Sequence, residues 1–403
     1  AGATFVIVYS GCNLFTHTRG NVPTMMFEWE RHIPFVRELV IPYWSLDAFF
    51  CGACFLCGSK VELNLLTKRL IAVTVLSGVF FLLFPLKLEL PRPEPSGWTA
   101  PLFKALYFND LPYNLAPSLH ISLRSLVWVF YGAHLVGRLR TVVKVWFILI
   151  GLSTLLVWQH HLIDVAGGFI MGWAVAALIP DPRQRGTRNP SKKHAMRYGV
   201  GAVVCGALGF VWIGFVWPAV ACGIMTLAYA TGLSRLLGKE NGTLSPSAEW
   251  CLLPILLVRG WVQRQWLRRT PGWCEVAPGV TFGRRVTKKE AVAMVAAGTE
   301  APPLAVLDLT AETNAPTAFR ENAFYLNLPL LDLVPLREEQ INIALEYIRG
   351  QRAEGRRVFV HCQLGLQRSA LIAAHWIREA EEEGCELEEA VRRVRALEPG
   401  VVI

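Results

Sequence analysis

Up to residue 240 the chain is dominated by apolar stretches of bilayer-crossing length, and this constrains its fold more than any other feature. Candidate spans cover 1–15, 42–58, 69–86, 121–138, 141–160, 162–180, 198–216 and 218–237, about eight crossings. The first is too short to cross and is expected to be what remains of a trimmed N-terminal helix; no signal peptide is recognisable. Arg124, inside the fourth, has to face protein rather than lipid. After residue 275 the charged content becomes ordinary. A chain that is 53% hydrophobic and 18% charged therefore divides into a membrane part and a soluble part.

The expected fold class is multi-domain: an all-α polytopic membrane helix bundle followed by a soluble α/β domain. Residues 1–180 form the first membrane domain, 181–240 two further transmembrane helices, 241–274 a linker helix at the interface, and 275–403 the soluble domain. In the last of these, "AVLDL" at 305 and "YLNLPL" at 325 read as buried strands, "REEQINIALEYIRG" as an amphipathic helix, and "RRVFVHC" as a strand running into a turn. Helices are expected at 367–383 and 386–397. The abrupt "EPGVVI" end suggests a further helix beyond it.

The net charge of +9 does not indicate nucleic acid, because the basic residues sit at the ends of apolar runs. Lys60, Lys68 and Arg69; Arg138, Arg140 and Lys144; and Arg183, Arg185, Arg188, Lys192, Lys193 and Arg197 occupy three loops that share one face by parity. That face is expected to be cytoplasmic. The 87–120 loop and the 159–164 turn then face outward. In 249–269, Trp261 and Trp266 alternate with Arg259, Arg264 and Arg268, the pattern of a helix lying in the interface. Cys51, Cys54 and Cys57, at helical spacing in an apolar segment without a nearby histidine, read as small packing residues rather than metal ligands. No metal and no cofactor are expected.

Two stretches carry chemistry. In "QHHLIDV", a helical start puts His160 and Asp164 on one face, where the carboxylate can orient the imidazole. His161 lies about 100° off that face. "PSLH" at 117–120 and "KLELPRP" at 87–93 end on the same membrane surface, so Lys87, Arg92, His120, His160 and Asp164 converge there. Such a set suits gripping a phosphate and cleaving its ester.

These motifs resemble the phosphatidic acid phosphatase type 2 superfamily, integral-membrane lipid phosphate phosphatases, over residues 1 to 180. The resemblance implies that His160 is the nucleophile forming a phosphohistidine, Asp164 its orienter and His120 the acid for the leaving group. Lys87, Arg92 and Ser118 would hold phosphate oxygens. Three positions depart from the pattern: the spacing from Lys87 to Arg92 is two residues short, Leu119 replaces a glycine, and Thr154 replaces an arginine. Branches resembling head-group transferases also lack that arginine. A lipid phosphotransferase, or a degenerate membrane anchor for an active second domain, is therefore the alternative to lipid dephosphorylation.

The second stretch, "HCQLGLQRS", is His-Cys-x5-Arg-Ser between a strand and a helix. A loop whose N–H groups point inward at a helix N-terminus cradles a phosphate dianion, and the same field favours a thiolate at Cys362. Arg368 offers a bidentate fork, Gly365 permits close backbone approach, and Ser369 can hydrogen-bond the sulfur. The stretch resembles the protein tyrosine phosphatase superfamily, in its compact dual-specificity branch, across 275 to 403. By that resemblance the general acid is Asp332, with Asp308 a strand-end structural residue and the runner-up. Gln363, Leu364, Leu366 and Gln367 bring no cation to the loop, which argues against a strongly multi-phosphorylated substrate.

Together the two resemblances imply a bifunctional phosphatase of a bacterial inner membrane. A lipid phosphate would be cleaved at the outer face, and a phosphoprotein or phospholipid head group at a cytoplasmic Cys-x5-Arg phosphatase domain. The expected partners are the lipid bilayer and these substrates, with no nucleic acid.

Overall fold

The computed structural model describes every residue of the chain except 95, 185–187, 267–271, 297–301 and 381–384. Arg185, Arg268 and the end of the expected 249–269 helix lie outside the described residues. Contacts divide the chain into two compact units, Ala1–Pro182 with Ser245–Trp250, and Arg183–Leu244 with Cys251–Ile403.

The first unit is helical: α1 (Gly2–His17), α2 (Val40–Leu56), α3 (Lys60–Leu83), α4 (Ala100–Asn109), α5 (Leu119–His134), α6 (Gly137–Leu156) and α7 (Leu162–Leu178). α5 is buried almost all round and packs against α2, α3, α6 and α7. Ser118 caps it, accepting from the Ile121 N–H at 3.4 Å, and Ser59 caps α3 through Glu62 N–H at 3.2 Å. Arg124 is buried as its position required, donating to the Phe147 carbonyl and lying over the Phe169 ring. Cys51 and Cys54 are exposed. The expectation that they pack is corrected: Gly52 and Ala53 take the inner side of α2, where a Cβ on Gly52 would come within 2.6 Å of Tyr131 Oη.

The second unit begins with the helices α8 (Lys192–Leu208) and α9 (Val216–Thr231), which pack on each other. Among the described residues, four stretches are long and apolar enough to cross a membrane: Arg37–Leu56, Lys60–Leu83, Gly137–Leu156 and Ile213–Thr231. The other expected spans form helices of 16 or 17 residues (α1, α5, α7 and α8), short of the ~20 that a bilayer core asks for.

A hairpin of β1 (Lys239–Glu240) and β2 (Thr243–Leu244) follows, turning through Asn241 and Gly242, both at positive φ, as a two-residue turn between antiparallel strands demands. α10 (Pro246–Trp266) leads into β3 (Trp273–Ala277), β4 (Val280–Gly283), α11 (Lys288–Ala296), β5 (Leu304–Thr310), α12 (Thr317–Asn322), β6 (Phe324–Leu330), α13 (Glu338–Ala353), β7 (Arg357–His361), α14 (Arg368–Ala380) and α15 (Leu387–Leu397). The five strands run in the order β3-β4-β7-β5-β6, with only the β3–β4 pair antiparallel. Period-two alternation decides the layers. Ala305, Leu307 and Leu309 of β5 join α13 and α14 on one face, while Val306 and Phe359 join Ala291, Met294 and Phe319 on the other. β5 is buried along its whole length, which is why it reads as one apolar run.

The polar exception in β5 is Asp308, fully buried. Lys239, 1% exposed, donates to Asp308 Oδ2 at 2.7 Å and to the Thr310 carbonyl and hydroxyl at 2.9 and 2.7 Å; Tyr325 donates to Asp308 Oδ2 at 2.7 Å. Burial opposes charge on Asp308, but Lys239 and then His361 more than offset it and hold the carboxyl well below its usual range. Compositional reading ended the membrane helices at 240 and began the soluble domain at 275. By contacts, residues 183–244 group with the α/β part, and Lys239 is the deepest of these ties.

Removing one partner of a buried ion pair strands the other. Lys239→Met should destabilise the α/β unit by roughly 3 kcal/mol, read from denaturant unfolding in detergent. Because the folded Asp308 carboxyl titrates lower than the unfolded one, its stabilisation is complete above about pH 4 and fades as pH falls further. Lys239→Met should flatten that acid limb; an unchanged limb would remove the pair from the stability account.

Candidate active sites

β7 ends at His361 and α14 begins at Arg368, so Cys362 to Gln367 turn between the C-terminal edge of a parallel sheet and a helix N-terminus. Gly365 takes φ +82° and approaches β4 so closely that a Cβ would lie 2.8 Å from Arg284 N. Among the described residues, no acceptor takes the N–H groups of 363–367. Cys362 is buried; Ser369 Oγ stands 3.3 Å from its sulfur and 3.1 Å from the Gly283 carbonyl oxygen. A thiol next to a hydroxyl, in a turn whose N–H groups have no acceptor among the described residues, is an arrangement suited to accepting a phosphoryl group.

Arg368 is 1% exposed and multiply held. Its Nη1 donates to the carbonyls of Leu309 at 3.1 Å and Leu330 at 2.8 Å; its Nη2 donates to Glu312 Oε1 at 2.8 Å and Asp332 Oδ1 at 3.0 Å. Nε has no acceptor among the described residues. Burial disfavours the charge of Arg368, but Asp332 and Glu312 more than offset it and push its pKa upward. Burial likewise works against Glu312, yet Arg368 and Arg259 keep its carboxyl below the usual range.

Asp332 follows β6, and its carbonyl accepts from Tyr229 Oη at 3.0 Å. Its carboxylate takes the Leu333 N–H at 3.1 Å, fixing a leucine at φ +58°, an uncommon conformation for that residue. Its side chain is 25% exposed, whereas that of Asp308 is wholly buried within its hydrogen bonds. Of the two carboxylates, Asp332 is the one open to solvent. Glu312, Arg259 and Gln263 were not singled out for this site by sequence. Glu312 sits just past β5, at the C-terminal sheet edge where such sites form, and that placement was the available signal.

In the helical unit a cavity of about 300 Å³ is lined by His120 and His160 together with Tyr9, Tyr43, Asp47, Asp110 and Asn114. His160 Nδ1 lies 3.7 Å from Asp164 Oδ2, an ion-pair distance rather than a hydrogen bond. The pair does not share a helix face, as the sequence spacing suggested. α7 starts at Leu162, and Asp164 caps it by accepting from the His161 N–H at 2.7 Å, leaving His160 in the preceding turn. The Thr154 carbonyl accepts the N–H of His160 at 3.1 Å. His120 stacks on Tyr43 with ring centroids 4.3 Å apart.

His161 points elsewhere. Its Nε2 accepts from the Glu89 N–H at 3.2 Å and its Nδ1 is 3.8 Å from Glu30 Oε2, so it ties together two segments away from the cavity lining. The expected phosphate holders are not all brought together. Lys87 is exposed and absent from the cavity lining, its N–H donating to the Pro23 carbonyl. Arg92 lies over the Tyr107 ring and donates to the Asp110 carbonyl at 2.5 Å. Ser118 is occupied as the cap of α5.

Residues 67–188 match the PAP2 superfamily, and residues 292–402 match the dual specificity phosphatase, catalytic domain. Among solved structures, Tk-PTP in the active form is 25% identical, with 33% of this chain and 88% of that one covered and a TM-score of 0.29. PTPMT1 in complex with PI(5)P is 18% identical over 33% and 87%, at 0.29. Human tyrosine phosphatase-like serine/threonine/tyrosine-interacting protein is 20% identical over 32% and 86%, at 0.28. The chain therefore joins a PAP2 superfamily domain, among helices apolar enough to cross a membrane, to a dual-specificity phosphatase catalytic domain, and it is a phosphoric monoester hydrolase.

Proposed function

We propose that the protein is a bifunctional phosphatase of a bacterial inner membrane, cleaving a lipid phosphate at the His160 cavity and a phosphomonoester at Cys362. One observation carries the reading furthest: Cys362, Ser369, Arg368 and Asp332 stand together beside one turn whose N–H groups at 363–367 have no acceptor among the described residues. The Cys362 thiolate attacks phosphorus and the P–O bond to the leaving alcohol breaks. Asp332 gives that oxygen its proton, and Arg368 with the loop N–H groups holds the phosphoryl oxygens. Water then hydrolyses the phosphocysteine, assisted by the Asp332 carboxylate, and Ser369 stabilises the departing sulfur.

At the cavity, the His160 ring nitrogen away from Asp164 would take the phosphoryl group, with His120 protonating the leaving oxygen. Arg92 and Ser118 would hold phosphate oxygens if the neighbouring loops rearrange around a substrate, and Lys87 would have to move further. The basic loops support a cytoplasmic Cys362, where thiols stay reduced, and an outward-facing His160. The inner substrate is a phosphoprotein or a phospholipid head group. A second reading, an inactive lipid-binding anchor, draws support from a cavity lined by Asp47 and Asp110 without lysine or arginine among its described lining.

Reporter fusions after residues 110 and 275 should report opposite sides of the membrane; the same side for both would remove the topology and the redox argument together. His160→Ala should abolish lipid dephosphorylation while aryl phosphate hydrolysis at Cys362 continues. His161→Ala should instead lower the melting temperature and leave lipid turnover per folded molecule largely intact. Lipid hydrolysis that survives His160→Ala would favour the anchor.

At the inner site, Cys362→Ser should remove turnover yet keep phosphate binding, and Arg368→Ala should weaken both. Asp332→Asn should slow alkyl phosphates at least ~10-fold more than aryl phosphates with acidic phenols, since only the former need a proton in the transition state. Equal slowing across leaving groups would take the acid role from Asp332.

A further inference from the structure

One wall of the Cys362 site comes from outside the matched catalytic domain. Arg259, on α10, places Nη1 3.0 Å from Glu312 Oε1 and 3.5 Å from Asp332 Oδ2. Arg368 Nη2 meets the same Glu312 oxygen at 2.8 Å and the other Asp332 oxygen at 3.0 Å. Two guanidiniums thus face each other across two carboxylates. One helical turn on, Gln263 Oε1 accepts from Gln363 Nε2 of the phosphate loop at 3.1 Å. An i, i+4 pair of α10 therefore runs along the site. The Arg259 side chain is 16% exposed, and burial works against its charge, but Glu312 and Asp332 more than offset this and keep it protonated.

The balance of this cluster changes when the site works. Asp332 must carry a proton to serve as the acid, and once protonated it no longer neutralises Arg259. Arg368 has both Nη atoms on protein acceptors and keeps Nε for the phosphoryl group. Arg259 is left with one carboxylate partner, Glu312, beside the aspartate that would protonate the leaving alcohol. An arginine in that position is suited to a second anion.

We infer that Arg259 is a specificity-determining residue of the Cys362 site, binding a second anionic group, a phosphate mono- or diester, carried by the alcohol that the reaction releases. The inference rests on Cys362 acting as a phosphomonoesterase and names its substrate class. Loop residues Gln363, Leu364, Leu366 and Gln367 bring no cation, so the charge that the loop lacks comes from a helix about a hundred residues earlier. A soluble bis-phosphate and a phospholipid head group share this chemistry.

The test uses the full chain with His160→Ala to silence the cavity, comparing Arg259 with Arg259→Gln and Arg259→Lys. The soluble arm sets glycerol 3-phosphate against glycerol bisphosphate. The lipid arm sets phosphatidate against phosphatidylinositol 5-phosphate, each in phosphatidylcholine vesicles. Arg259→Gln should lower kcat/KM for the doubly anionic member of a pair at least ~10-fold more than for the singly anionic member, with partial recovery of that difference in Arg259→Lys. A response in the soluble arm assigns a free bis-phosphate, and one confined to vesicles assigns a lipid head group. Equal loss on every substrate, with an unchanged melting curve, would mean that Arg259 only positions Glu312 and Asp332, and the inference falls. So would a uniform gain, which would make α10 a lid, or a response confined to a phosphotyrosine peptide. If Cys362→Ser leaves all these activities intact, the phosphatase reading itself fails, and this inference with it.

Discussion

A guanidinium cannot be taken out of water without acceptors, and the burial of Arg368 sets the terms for the upper edge of the α/β sheet. Isolated burial of such a charge costs several kcal/mol, so each acceptor has to be fixed in place. Two are carbonyls at the ends of β5 and β6, and two are carboxylates on the turns that follow those strands. The first residue of α14 thereby binds the ends of two neighbouring strands to the two turns that would touch a substrate. Geometry that must be right for catalysis is also what keeps the charge buried, so the site is held by the same bonds that hold the fold.

The opposite face of the sheet repeats the logic with the sign reversed. Asp308 is a carboxylate inside an apolar layer, and Lys239, Tyr325 and Thr310 satisfy it. The strand register places Asp308 beside His361, one residue before Cys362, so this second buried charge steadies β7 where it turns into the phosphate loop. Neither cluster is exchangeable for the other. Arg368 keeps Nε without an acceptor among the described residues, whereas both carboxylate oxygens of Asp308 are taken by protein.

Much of the α/β half was legible because its signals are local. Strand β5 is apolar but for Asp308 and Thr310, α13 is amphipathic although it runs past Gly350, where the pattern ended it, to Ala353, and Cys-x5-Arg encodes a strand, loop and helix within a dozen residues. Glu312 and Arg259 were not legible, since each gains meaning only from a partner dozens of residues away. Asn241-Gly242 was a signal within reach, a strong hairpin marker overshadowed by the apolar segments before it. In the helical half the histidines were found, but the path of the chain was not. α7 begins only at Leu162, capped by Asp164, which leaves His160 off the helix, and the 87–120 loop leaves Lys87 outside the cavity lining, where a two-residue shortfall in spacing had been the warning.

Lys239 has one more consequence, for how such a chain could arise and be rearranged. A catalytic domain that begins at residue 292 would lack the amine that neutralises Asp308, and would lack β3 and β4, on which Gly365 and Ser369 rest. Transplanted on its own, it would expose apolar strand edges and enclose an orphan carboxylate. The dual-specificity half is therefore not a portable module here. A cut that kept this half whole would have to fall before Lys239, not at the edge of the matched catalytic domain.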